Sequence, residues 1–244
     1  MFGKFSKKLS LAVLAGLSGL IGANAAQAGS YALGNSGWTA TWDSHNDGRL
    51  ALNVDGETCD SVFIEKHVTF YSSDFNESGA FIDPVVITFQ QTSANAAKYL
   101  VINDEAVVNR TGQDWTGFRM TLLPSDGSVQ FNPGLSDISP PGSGFSIDPF
   151  TTHEFSENNT LFTVGGGVVP SEPVGDNVWF PGSKGGNLVI DTNQGAFCDQ
   201  ATFSLKEQPL VSAIPLPSAA WSGLSGLAGL ALVGSRKKLR ALLA

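Results

Sequence analysis

Val85-Val86-Ile87-Thr88-Phe89-Gln90 alternates two sets of side chains with a period of two, and Phe118-Arg119-Met120-Thr121-Leu122 does so more sharply, apolar against polar. Successive side chains of a strand point to opposite faces, so this pattern marks strands buried on one face. Working outward, Val62, Ile64, Val68 and Phe70 mark a longer strand or two, broken near Glu65-Lys66-His67. Shorter runs follow at residues 38–42, 50–54, 99–102, 106–108, 161–164, 178–180, 188–190 and 201–205. Turn chemistry separates them: Asn46-Asp47-Gly48, which predicts a hairpin between 38–42 and 50–54, then Asp55-Gly56, Asp126-Gly127 and Asn132-Pro133-Gly134. Helical periodicity is nearly absent; only the Ala-rich window 92–98 is compatible with a helix. Segments 137–149, 165–175 and 182–186 are Gly-, Pro- or Ser-rich and predict surface loops on one domain. The expected fold is all-β, an antiparallel β-sandwich or jelly-roll-like domain over 29–205.

The ends have a different composition. Lys4, Lys7 and Lys8 precede an uncharged run at 9–23, and Ala26-Gln27-Ala28 stands before Gly29. A cationic start, a short apolar core and an A-x-A site predict a secretory signal peptide over 1–28, cut between Ala28 and Gly29. At the other end, 214–221 carries Pro215-Leu216-Pro217 and leads into a Gly/Leu-rich stretch, and Arg236, Lys237, Lys238 and Arg240 follow it. The charge-free stretch 218–235 is near the lower limit for a helix crossing the bilayer core. The basic cluster belongs on the cytoplasmic side. A transmembrane helix is therefore expected within a tail at 214–244, with 206–213 as a spacer carrying Pro209.

Proline motif, apolar helix and terminal basic cluster, in that order, resemble the PEP-CTERM sorting signal of Gram-negative bacteria. Leu216 stands where that family has Glu, and the tail runs on from Leu239 to Ala244. The resemblance implies an exosortase-type processing enzyme as a partner, tethering in the inner membrane, and release to the cell envelope, surface or extracellular matrix. A plain uncut anchor is the alternative. The stretch 99–118, with Ile102-Asn103-Asp104-Glu105 and Asn109-Arg110-Thr111-Gly112-Gln113-Asp114-Trp115, resembles a phrase of secreted β-sandwich proteins bearing the same tail. It reads as a strand, an acidic turn at 103–105 and further strands, and it implies no activity.

Charge divides the chain in the same places. All 22 acids lie between Gly29 and Val211 with only seven of the 14 basic residues, a net charge of −15 for the passenger. Nucleic acid is an unsuitable partner for such a surface. Cys59 and Cys198 are the two cysteines. In an oxidising compartment their pairing as a disulfide is the default, with free thiols the alternative.

No catalytic constellation stands out. The three histidines, His45, His67 and His153, flank no nucleophile elbow, and no metal-ligand spacing occurs. Calcium is the one ion left open, at the acidic turns 43–48 and 103–105, though neither has EF-hand spacing. Asp104, Glu105 and Trp115 are candidate ligand-facing residues, and Trp38, Trp42 and Trp179 further aromatic candidates for a sugar. The function expected is that of a non-enzymatic envelope or matrix protein with exopolysaccharide as a candidate partner. The alternatives are a secreted carbohydrate-active hydrolase or lyase, or a permanently anchored carbohydrate-binding module.

Overall fold

A computed structural model describes residues 29–76, 81–124, 128–139, 144–192 and 201–211. Fifteen strands follow one another: β1 (Gly29–Ala32), β2 (Trp38–Trp42), β3 (Leu50–Glu57), β4 (Ser61–Tyr71), β5 (Val85–Gln91), β6 (Tyr99–Arg110), β7 (Trp115–Leu123), β8 (Gln130–Phe131), β9 (Ile138–Ser139), β10 (Phe145–Ser146), β11 (Thr152–Ser156), β12 (Leu161–Val169), β13 (Val178–Trp179), β14 (Leu188–Asp191) and β15 (Thr202–Val211). Thirteen of them form a seven-stranded sheet, β1-β2-β5-β15-β7-β12-β11, and a six-stranded sheet, β3-β4-β6-β14-β8 with β13 also on β6, packed as a sandwich, while β9 and β10 pair with each other in parallel. Among the described residues no helix is long and apolar enough to cross a membrane; the tail expected to do so lies outside them.

The alternation seen in the sequence is the alternation of burial. In β5, Val85, Ile87 and Phe89 face the core while Val86, Thr88 and Gln90 face away. In β7, Phe118, Met120 and Leu122 are fully buried. Trp115, Phe70 and Phe118 pack edge-on, and Trp179 and Phe150 extend this cluster. Such buried aromatics bring the most apolar area per residue to the interface between the sheets.

Several expectations need correction. The fold is not purely antiparallel: β4 runs parallel to β6. The chain leaves β4, crosses to the seven-stranded sheet as β5 and returns as β6, so both of the flanking strands point the same way; such a pair needs a long crossover rather than a hairpin. Asn46-Asp47-Gly48 likewise joins strands of different sheets, since β2 and β3 lie in opposite layers. Local turn chemistry specifies a reversal but not the partner. Asp55-Gly56 falls inside β3, at a shift in its register with β4. The acidic turn expected at 103–105 is the middle of β6, a continuous strand. Window 92–98 is a turn and loop, not a helix. The expected spacer from Lys206 is the second half of β15. Pro209 is tolerated there because β5 ends at Val85, opposite Glu207, leaving β15 beyond it paired on the β7 side alone.

Candidate functional site

Two loci gather ionisable side chains, one open and one sealed. The open one is a cleft of about 560 Å³ at the edge of the sandwich. Its wall includes Trp42, Asp43, His45, Arg49, Asp74 and Asp83. Arg49 and Asp74 form a bidentate pair, Nη1 to Oδ1 at 2.6 Å and Nη2 to Oδ2 at 2.7 Å. Oδ2 of Asp74 also accepts the backbone N–H of Tyr71 at 2.7 Å. The guanidinium lies 5.8 Å from the Phe70 ring and 5.6 Å from that of Tyr71. Two parallel charge-assisted bonds and two aromatic rings fix the arginine. The exposed His45 ring stands beside the pair, 3.4 Å from Nη1 of Arg49 and 3.8 Å from Oδ1 of Asp74.

The turn at the mouth of the cleft is held by its own acids. Asp43 Oδ1 accepts from the backbone of His45 at 2.8 Å, and Asp47 Oδ1 accepts from Trp42 Nε1 at 3.0 Å. These carboxylates close a loop. Among the described residues no group of three or more His, Cys, Asp or Glu side chains could hold a metal ion. The cleft wall combines one tryptophan with polar and charged side chains.

The sealed locus lies between the sheets. Lys66 of β4 sits where the alternation Val62, Ile64, Val68, Phe70 requires an inward residue, and it is 2 % exposed. Its Nζ donates to Oε1 of Glu207 at 2.6 Å and to Oε1 of Glu105. Glu105 comes from the neighbouring strand of the same sheet, directly opposite Lys66 in register. Glu207 comes from β15 in the other sheet, on the inward phase of Phe203 and Leu205. Leu52, Ile64, Val68, Val107 and Leu205, all buried, occupy neighbouring inward positions. Oε2 of Glu105 and Oε2 of Glu207 take no hydrogen bond among the described residues.

A bulge puts Glu105 there. The β4–β6 register shifts between Ile64 and Glu65, so the inward phase passes from Leu100 and Ile102 to Glu105 and Val107. An extra residue in one strand turns the following side chains over. The turn after β13 holds the bulge: Glu105 N–H donates to Pro181 O at 2.9 Å. Gly182, at φ +81°, lies so close that a Cβ would come within 2.4 Å of the Asn103 carbonyl oxygen. Burial and the neighbouring carboxylates outweigh the pull of the Lys66 ammonium, and the Glu105 carboxyl is pushed up to about 8. Burial disfavours the Lys66 ammonium, but Glu105 and Glu207 more than compensate, so its affinity for a proton is raised.

The three candidate ligand-facing residues do not converge. Trp115 is fully buried, its indole N–H donating to Thr111 Oγ1 at 3.3 Å, so it is a core residue. Glu105 is buried with Lys66 and faces no ligand. Asp104 alone faces outward, half-buried, its carboxyl held up first by burial and then by Glu65 and Asp55. Trp38 and Trp179 are core residues too, leaving Trp42 as the aromatic of that set that lines the cleft. Cys59 is a free, exposed thiol at the tip of the β3–β4 hairpin; its expected partner Cys198 lies outside the described residues. So do Ala26, Ala28, Pro215, Leu216, Pro217, Arg236, Lys237, Lys238 and Arg240, whereas Gly29 opens β1.

Sequence reasoning misses the sealed triad: Lys66 and Glu207 fall on the apolar phase of their strands, but Lys66 reads as a break between strands and Glu105 reaches the core only through the register shift in β6. Comparison with known protein families, with curated proteins and with solved structures finds no match to this chain.

Proposed function

We propose that this chain is an exported passenger, tethered to the membrane by its C-terminal segment. In this reading an exosortase-type enzyme cuts it near Pro215-Leu216-Pro217, and it works in the envelope or extracellular matrix by binding rather than by catalysis. The transmembrane helix within 214–244 and a jelly-roll-like form of the sandwich belong to the same reading. The observation that carries it is the partition of charge: two acid-free, cationic, apolar ends flank a body holding all 22 acids. That is the pattern of a chain whose middle has crossed a bilayer while its last residues have not.

The cleft supports the binding role. Its histidine is engaged with Arg49 and Asp74, and Trp42 offers a flat apolar surface among hydroxyl and carboxylate groups, suited to a sugar of the matrix. Mass spectrometry of the chain recovered from its own cells tests the processing. The expected product begins at Gly29 and ends near Pro217. Intact termini on a soluble cytosolic species would overturn the proposal.

A further inference from the structure

Among the described residues, Lys66, Glu105 and Glu207 are a group of buried ionisable side chains that the proposed binding role does not use. An amine, a carboxyl group in contact with it and a second carboxylate, sealed between two sheets, are the reactants and the proton carrier for an amide bond. We propose that Lys66 and Glu105 join in an intramolecular isopeptide bond, formed by the folded chain itself, with Glu207 carrying the proton.

The geometry supplies the positioning. Lys66 and Glu105 are register partners on adjacent parallel strands, and Nζ touches Oε1 of the carboxyl it would attack. Holding two reactants in this way replaces a bimolecular encounter with an intramolecular step. Glu207 reaches the same Nζ from the opposite sheet at 2.6 Å.

The proton inventory fits. With the Glu105 carboxyl pushed up to about 8, the carboxyl to be attacked keeps its proton below that pH, beside the Lys66 ammonium. The step begins with transfer of a proton from Nζ to Glu207, against the raised proton affinity of Lys66, and it leaves three neutral groups. The Nζ lone pair then attacks Cδ of Glu105 and forms the C–N bond. Glu207 takes the second proton from nitrogen and returns one to a departing carboxyl oxygen, which leaves as water. Ammonium, carboxylic acid and carboxylate become one secondary amide, one water and a protonated Glu207; charge and atoms balance without oxidant or cofactor. The product replaces two ionisable groups by a neutral amide, and its apolar surroundings keep water from reversing the step.

Intact-mass measurement of the purified chain tests this directly. The expected mass is lower by one water than the sequence of the recovered species requires. Proteolysis should yield a branched peptide joining Lys66 to Glu105, with no tryptic cut after Lys66. Glu207→Gln, shown to be folded by circular dichroism, should keep the full mass and be cut at Lys66. A full mass for the natural chain, unchanged after days at pH 6 and pH 8, overturns the proposal. So does a water loss that maps to Asp55-Gly56 or Asp126-Gly127 and yields to hydroxylamine, the mark of a succinimide. A branched peptide in the folded Glu207→Gln chain would overturn the role given to Glu207.

Discussion

Arg49–Asp74 and Lys66–Glu105–Glu207 are both buried ion clusters, yet they solve different problems. The first sits at the wall of an open cleft, its charges are equal in number, and both carboxylate oxygens are engaged, with Arg49 Nε its one buried polar atom lacking a hydrogen bond. The second sits between the sheets with one cation for two carboxyl groups, and leaves two oxygens unpartnered. Desolvation of an ion in a core costs more than a single partner returns unless every lone pair is satisfied. The rim pair is a structural clip, whereas the core triad sets one lysine against two carboxyl groups, each with one oxygen lacking a hydrogen bond.

Mutation separates the two. Measured against a chain in which the bridge has not formed, Lys66→Met strands both carboxyl groups in the core and should cost the most, about 3–5 kcal/mol by urea unfolding. Adding Glu105→Leu and Glu207→Leu should recover most of that loss; a triple variant as weak as the single one would contradict the assignment of the cost to stranded charge. The effect of pH comes next. Glu105 is raised from 4.5 to about 8, so the folded state holds a proton that the unfolded chain gives up. The stability this group contributes is full below about 4.5 and is lost as pH rises through about 8. A chain unfolded before the bridge forms should show a falling midpoint over that window, and a bridged one should not. Asp74→Ala should cost about 2 kcal/mol, since it removes charge-assisted bonds but leaves Arg49 beside water in the cleft. Lys184→Ala breaks a half-exposed pair with Asp148 and should change stability by less than about 0.5 kcal/mol.

The sandwich was legible in the sequence because alternation reports directly on which side chains are buried. Phe118, Met120 and Leu122 are core residues for the reason their spacing suggests. What was not legible depends on partners distant in the chain. Asn46-Asp47-Gly48 announces a reversal without saying which sheet receives the next strand. Glu105 is inward only because the register shift in β6, braced by Pro181 and Gly182, turns it over. Lys66 looked like an interruption because a charge on an apolar phase has no meaning until two carboxyl groups are seen to meet it. Pro209 looked like a stop because the end of β5 beside it cannot be read locally.

Strand β15 is the last described element, and it lies in the middle of its sheet, flanked by β5 and β7. Any tether that follows Val211 therefore pulls along the axis of a central strand. A load in that direction meets the ladder bonds to β7 along the strand, joined up to Glu207 by those to β5, side by side as shear instead of opening them one after another like a zipper. Resistance to a pull on Val211 follows from the place of β15 in the sheet.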